Sequence, residues 1–425
     1  NLSKSYFSEG YYKDAVASLQ LYLSQNADPD YQNLLGHAYS NLNMVDQAVD
    51  AFKMVSNLNP EYKDVNYNIG LLYTRIEDFD KSTESFKEAI RIHPNDTKSH
   101  VELGRSYISQ NFIQNAISSF ELALRIDQQY APAYYYMGEA FKVNNQNTDA
   151  AVAFKTAIII NPEYVEAYYE LGLAYFTLKE YTKAADAFRK GINLEPLNEP
   201  DYFYQLGKAH SGSGDYKQTI FALREAIRLN PDFAPTYYEM GRAFYNLYRF
   251  DEAAQYFEKA ISANQDYTEA HIQLAKTYEN LNKFSKVVDS YQEVIRIDPE
   301  NISTHFDLGL AYSNLEQYDN SVSSFNTVLE LQPEFPEAYF EIGLAYYEKG
   351  LSLMNREDQI GDMTDSYEKS KIAFSNAIKQ KPDFFDAHYN RGLSNYKLEK
   401  FNEVISDCEE AIKYNEKDTD VYYLL

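Results

Sequence analysis

The sequence predicts an all-α chain of antiparallel helix pairs stacked into a superhelical solenoid, and three observations carry that prediction. Glycine stands at Gly36, Gly70, Gly104, Gly138 and Gly172, each 34 residues after the last. The series continues through Gly207, Gly241, Gly309, Gly343 and Gly392, with Ala275 in the one place where glycine is replaced. Around each glycine the apolar residues fall at i, i+3, i+4 and i+7, the spacing of one helix face. Proline closes most units, where it cannot continue a helix.

One unit shows how the elements follow. Tyr168, Leu171, Gly172 and Tyr175 make the apolar face of a first helix, helix A. Beyond a short polar turn, Ala184, Phe188 and Gly191 repeat the spacing on a second, helix B, which Pro196 ends. Matching prolines are Pro60, Pro94, Pro162, Pro231, Pro299, Pro333 and Pro382, while Gln128, Gln265 and Glu416 take that place in the other units. Small residues at the glycine and alanine positions let two helix backbones approach, and the large ones fill the remaining space. Two short helices cannot bury an apolar face alone, so each pair must stack on the next.

Counting the glycine positions gives about eleven full repeats plus partial ones at both ends of a single solenoid spanning residues 1–425. Residues 1–28 read as a partial repeat, with Tyr6, Ala15 and Leu19 at its apolar positions. Residues 29–346 hold nine full repeats and helix A of the tenth, 347–369 an insertion-bearing hairpin, 370–418 the rest of the tenth and the eleventh, and 419–425 the start of another. Neither end carries the polar capping element a solenoid needs, so a longer protein is expected, with any signal, anchor or catalytic domain outside these residues. In the insertion the chain takes 28 residues from Tyr346 to Phe374, where the usual step is 13. Helix-compatible sequence around Met354, Asn355, Gly361 and Met363 predicts longer A and B helices joined near Gly361, either as neutral decoration or as a docking element.

At these positions the sequence resembles the tetratricopeptide repeat family, whose 34-residue unit carries aromatic, Leu-Gly, Tyr, Ala, Phe, Ala and Pro at set offsets. The resemblance covers essentially the whole chain. It implies a right-handed superhelix whose concave face is lined by helix A and binds protein, without enzymatic activity. The carboxylate clamp of the family's chaperone-binding members is not matched, since Asn33 and His37 stand at its places in the first full unit. Nor does the asparagine ladder of its sugar-transferase members recur, because only Asn68 and Asn390 fall beside the groove-facing row.

Composition narrows the chemistry. The net charge of -25 repels phosphate backbones and anionic lipid surfaces, so nucleic acid is not expected as a partner. The acid is spread along the chain and reads either as a solvated surface or as a face for a basic partner. The single cysteine, Cys408, cannot make an internal disulfide or a cysteine cluster. No apolar run is long enough to span a bilayer, and a soluble protein is expected, in the cytoplasm ahead of the periplasm or peripheral to a membrane complex. His100, His271, His305 and His388 occupy a packing position held elsewhere by Tyr134, Tyr168 or Phe203, and His210 replaces the helix A tyrosine. His37 and His93 remain as scattered surface histidines, so no metal and no cofactor is expected. Ser211-Gly212-Ser213-Gly214 lacks the strand and lysine of a phosphate loop and reads as a turn. No nucleophile–base constellation is legible, so no catalytic residue is expected.

The candidate binding residues therefore lie on helix A. One row reads Tyr67, Tyr135, Tyr169, Tyr204, Tyr238, Phe306, Phe340 and Tyr389, an aromatic track with Tyr169, Tyr204 and Tyr238 as its expected anchors. Beside it stand Glu102, Glu170, Gln205, Glu239, Gln273, Asp307, Glu341 and Asn390. Rings next to carboxylates suit an extended or helical protein segment bearing apolar and cationic side chains. The same rings can equally pack between neighbouring A helices. Lys208, Arg242 and Lys276 break the acidic trend, either to dock an anion or to pair internally with Asp201, Glu239 or Glu269. Beside this scaffold or adaptor reading stand two others: the substrate-recruiting arm of a larger enzyme, and an architectural subunit that self-associates through its end repeats.

Overall fold

A computed structural model describes residues 2–194, 199–354 and 359–425 of the chain. Pro196 and Asn355 lie outside them. The described residues form helices and no strands, in two compact units, Asn1–Asp215 and Tyr216–Leu425.

The first unit opens with α1 (Leu2–Ser8) and α2 (Tyr12–Leu23), followed by the hairpins α3 (Pro29–Asn41) and α4 (Val45–Leu58), α5 (Val65–Arg75) and α6 (Phe79–Ile92), and α7 (Thr97–Ser109) and α8 (Ile113–Ile126). It continues with α9 (Ala131–Val143) and α10 (Asn147–Ile160), then α11 (Val165–Thr177) and α12 (Tyr181–Leu194), and closes on α13 (Pro200–Gly212). The second unit runs α14 (Tyr216–Leu229), then the hairpins α15 (Ala234–Asn246) and α16 (Phe250–Ala263), α17 (Thr268–Asn280) and α18 (Phe284–Ile297), and α19 (Ile302–Asn314) and α20 (Tyr318–Leu331). After these come α21 (Pro336–Leu353) and α22 (Ile360–Gln380), α23 (Phe385–Lys397) and α24 (Phe401–Tyr414), and the short α25 (Thr419–Leu424). From α3 onward odd numbers are A helices and even numbers B helices. Within each unit a helix packs on its sequence neighbours, as expected for a repeat array.

The glycine spacing has a direct steric cause. In α11 a Cβ built on Gly172 would lie 2.5 Å from Cε1 of Phe188 on α12, a distance real Cβ atoms do not reach. Phe188 is fully buried, so its ring lies against bare backbone and locks the hairpin. The same lock joins Gly36 to Phe52, Gly104 to Phe120 and Gly309 to Phe325. Seven residues past the glycine position, helix A ends in a left-handed residue such as Asn43 (φ 56°) or Asn111 (φ 62°), which turns the chain into helix B.

The tenth repeat departs from this stop. Its residue at that position, Gly350, stays helical in α21, and a Cβ there would meet the ring of Tyr367 at 2.6 Å. Gly350 and Tyr367 thus repeat, two turns further out, the lock of Gly343 and Phe374. The insertion lengthens both helices in register, seven residues on each side. Helix α21 ends at Leu353, and α22 begins at Ile360, one residue before Gly361.

Candidate protein-binding face

The aromatic track sits half-buried on the A helices, and five of its rings lean on two aromatic neighbours each. Tyr135 lies 5.7 Å from Phe154 of its own hairpin and 5.0 Å from Tyr164 at the start of the next. Tyr169 stands likewise between Phe188 and Tyr202, Tyr238 between Phe257 and Tyr267, Phe306 between Phe325 and Phe335, and Phe340 between Phe374 and Phe384. Tyr67 leans on Phe86, and its hydroxyl is pushed up to about 12, first by burial. In the last full repeat Tyr389 stacks parallel to Phe385. Tyr135, Tyr169, Tyr238, Phe306 and Phe340 thus bridge successive repeats.

The charged row next to them is partly neutralised inside the chain. In the first unit Arg105 holds Glu102 at 2.8 Å and lies over the ring of Tyr136. Lys142 bridges Glu139 at 2.8 Å and Glu170 at 2.6 Å. Burial pushes the Glu139 carboxyl up, and the ammonium of Lys142 pulls it back. Lys208 lies 5.4 Å from the ring centroid of Tyr204 and 5.0 Å from that of Phe176. In the second unit Arg242 donates to both carboxylate oxygens of Glu239, at 3.1 and 3.2 Å, so of the internal partners expected for the cations Glu239 is the one found.

Further along the second unit the pattern changes. The hydroxyl of Tyr291 donates to Glu279 Oε1 at 3.0 Å, with the Asp307 carboxyl close beside it. Burial pushes Asp307 and Glu279 above the usual carboxylate range, and the charge of Lys276 pulls both part of the way back without closing an ion pair. Burial alone raises Glu341 on α21. Among the described residues no cation lies within ion-pair distance of Glu279, Asp307 or Glu341. Desolvated carboxylates of this kind gain from a cation brought by a ligand.

The histidines divide otherwise than their spacing suggests. His100, His271, His305 and His388 are buried, and each Nε2 donates to the carbonyl six residues back, of Pro94, Gln265, Pro299 and Pro382, at 2.9 to 3.0 Å. A carbonyl only accepts, so the proton sits on Nε2 and each imidazole ties helix A to the end of the preceding B helix. The six-residue step from proline to histidine is the signal that betrays this bond in the sequence. His37 is half-buried edge-on to Phe52, and burial lowers its pKa. His93 is half-buried too. Asn33 and His37 line a polar cleft of about 610 Å³ with Asp30, Tyr62, Tyr67 and Asn68.

A second arrangement unannounced by the repeat pattern closes the array. In α24 the position of the locking phenylalanine is Cys408, buried, its thiol pushed up to about 11 by burial and by Asp407. Beside it the buried Asp407 accepts from Arg391 Nε at 2.9 Å and from Asn395 Nδ2 at 2.9 Å. Among the described residues no three His, Cys, Asp or Glu side chains gather as a metal would require, and no helix is long and apolar enough to cross a membrane.

Tetratricopeptide repeat patterns match residues 29–62, 64–96 and 97–130, then 135–196 and 204–267, then 247–302, and a further repeat pattern matches 314–350. Among solved structures the chain is similar to YrrB, described as a TPR protein with an unusual peptide-binding site, at 22% identity over 44% of this chain and 96% of that one, with a TM-score of 0.42. It is similar to the C-terminal part of a TPR repeat-containing protein from Cytophaga hutchinsonii at 16% identity, over 60% and 99% of the two chains, with a TM-score of 0.49. The yeast protein Tom70 aligns at 16% identity over 99% and 92%, with a TM-score of 0.36. No curated protein matches the sequence. The repeat matches take in more than half of the chain, at the same positions as the helix hairpins and their glycine–aromatic locks, and the chain belongs to the tetratricopeptide repeat family.

Proposed function

We propose that this chain is a protein-interaction scaffold whose A-helix face receives an extended or helical partner segment carrying both cationic and apolar side chains. The observation that carries the proposal is the half-buried pair Asp307 and Glu341 on successive A helices, raised by burial and without a cation in ion-pair range, beside the rings of Phe306 and Phe340. A lysine or arginine set down there regains for the carboxylates what burial removed, and its stem packs on the ring edges. The half-buried Tyr169, Tyr204 and Tyr238 extend the aromatic platform in their own units. Glu170, Glu239, Arg242 and Lys208 take a supporting part, since each already faces an internal partner or ring.

The test is an array of synthetic 15-residue peptides in which Lys, Glu, Leu and Tyr are permuted, probed with the wild-type chain and with an Asp307→Asn, Glu341→Gln double variant. Peptides combining Lys with Leu or Tyr should bind, and the double variant should bind them at least fivefold more weakly. Equal binding by both chains, or preference for Glu-bearing peptides on this face, sinks the proposal.

A further inference from the structure

A different surface, formed by B helices in the first unit, carries a second binding feature. Helix α10 turns Ala150, Ala151 and Ala153 inward, and on its outer side Val152 and Ile159 are 62% and 69% exposed. The outer side of an amphipathic surface helix is ordinarily polar. Val152 and Ile159 are seven residues apart, about two turns or 10 Å along one stripe. Beside them a groove of about 310 Å³ opens between α10 and α12, floored by Tyr168, Leu171 and Tyr175 of α11.

The same groove exists three repeats earlier, between α4 and α6, and comparison of the two is informative. Asn57 there corresponds to Ile159, Asn66 to Tyr168, Ser85 to Ala187 and Glu88 to Lys190. The position of Ile159 is polar or charged in every other full repeat, and is arginine in Arg91, Arg125, Arg228 and Arg296. The charge changes at one place as well: Lys53, Lys81 and Glu84 already edge the earlier groove, and Lys190 replaces its Glu88. Lys155, Lys183 and Lys190 edge the apolar groove, and its one acid, Asp186, already pairs with Arg189 at 3.3 Å. Lys183 pairs with Glu180, whereas among the described residues Lys155 and Lys190 make no ion pair. A chain of net charge -25 thus presents here an apolar slot rimmed by lysines.

We infer that this groove docks a partner protein segment of opposite character to the one proposed for the A-helix face: large aliphatic or aromatic side chains flanked by Asp or Glu. The apolar side chains fill the slot over Tyr168 and Leu171 against Ile159, and the carboxylates meet Lys155 and Lys190. The inference does not depend on the A-helix proposal, because none of these side chains belongs to the acid row.

The test uses the full chain and a phage-displayed library of random 12-residue peptides, depleted first on the Ile159→Arg variant. That substitution installs the side chain four other repeats carry at an exposed site, and unchanged helicity and melting temperature would confirm the fold. Surviving clones should combine Leu, Ile, Phe or Met with Asp or Glu. A labelled peptide made from the strongest clone should bind at least tenfold more weakly to Ile159→Arg and to a Lys155→Glu, Lys190→Glu double variant, and equally well to Asn57→Arg in the earlier groove. No clone surviving depletion, survivors rich in Lys or Arg, or affinity unmoved by the lysine reversals would each overturn the inference. Self-association of the wild type that Ile159→Arg abolishes would also overturn it, by making a second copy the occupant.

Discussion

The two units build the same hairpins with different regularity. In the first, each full hairpin from α3 to α12 keeps its glycine–phenylalanine lock, and Glu102, Glu139 and Glu170 on the A helices all find a cation inside the unit. The second breaks the pattern repeatedly. Ala275 and Tyr291 replace the pair in the eighth repeat, the tenth doubles it with Gly350 and Tyr367, and the eleventh exchanges the phenylalanine for Cys408 beside the buried Asp407, which the half-buried Arg391 holds. Its later A helices also hold Glu279, Asp307 and Glu341 without a cation in range. On the A helices of the uniform hairpins these three acids are satisfied from within, and departures from uniformity bring polar atoms to positions where only packing was required.

The largest effect should come from the most buried of the second unit's paired acids. Removing the Asp407 carboxylate by Asp407→Ala takes from the half-buried guanidinium of Arg391 its charged partner and leaves it Ser375 Oγ, which should cost about 3 kcal/mol, read from the midpoint of urea unfolding. In the first unit, Lys142→Met leaves Glu139 and Glu170 facing each other. Because this site is partly exposed, the expected loss is about 1–2 kcal/mol. Glu139, already raised by burial, then loses the ammonium that pulls it back. The deficit should therefore be full at neutral pH and shrink as acid protonates Glu139, whereas a pH-independent loss would mean that Lys142 acts by packing alone.

A smaller contrast separates the locks. Gly172→Ala forces a methyl into Phe188 and should destabilise by roughly 1–2 kcal/mol net of the helix propensity gained. Gly392→Ala meets its nearest side-chain atom only at 3.4 Å and should be neutral or stabilise by up to about 1 kcal/mol. Equal losses at both sites would show that the lock is not what distinguishes the units. The smallest effect concerns Glu341. Its folded-state pKa is raised, so the charged form burdens the native state at neutral pH, and that burden is relieved as pH falls through the raised value. Glu341→Gln should therefore raise the melting temperature by about 1–3 °C at pH 7, with the advantage gone below the ordinary carboxylate range. A lowered melting temperature at pH 7 would mean that a cation already serves this residue.

Much of this was legible in the residues. The 34-residue step of glycine and the 16-residue step from Gly172 to Phe188 announce the hairpins and their lock, because only bare backbone admits a ring so closely. The internal pairs of Glu102 and Glu239 follow from Arg105 and Arg242 three residues on, just as Leu310 and Leu344 at the same step from Asp307 and Glu341 announce that no helical neighbour neutralises those acids. The Lys142–Glu170 bridge was not legible, since it joins residues 28 apart across two repeats through one side-chain rotamer. Nor was the second lock of the insertion, since the Gly350–Tyr367 contact joins residues at a 17-residue step that no other repeat uses. Exposure decided the groove beside Ile159, where the same sequence pattern serves packing elsewhere.

The most direct test of the account is calorimetric titration of the strongest Lys-bearing array peptide into three chains: wild type, a second-unit variant with Glu279→Gln, Asp307→Asn and Glu341→Gln, and a first-unit variant with Glu102→Gln, Glu139→Gln and Glu170→Gln. The account predicts at least a tenfold loss of affinity in the second-unit variant and less than a threefold change in the first-unit variant. A first-unit variant that loses as much as the second, or a second-unit variant that binds like wild type, would contradict it.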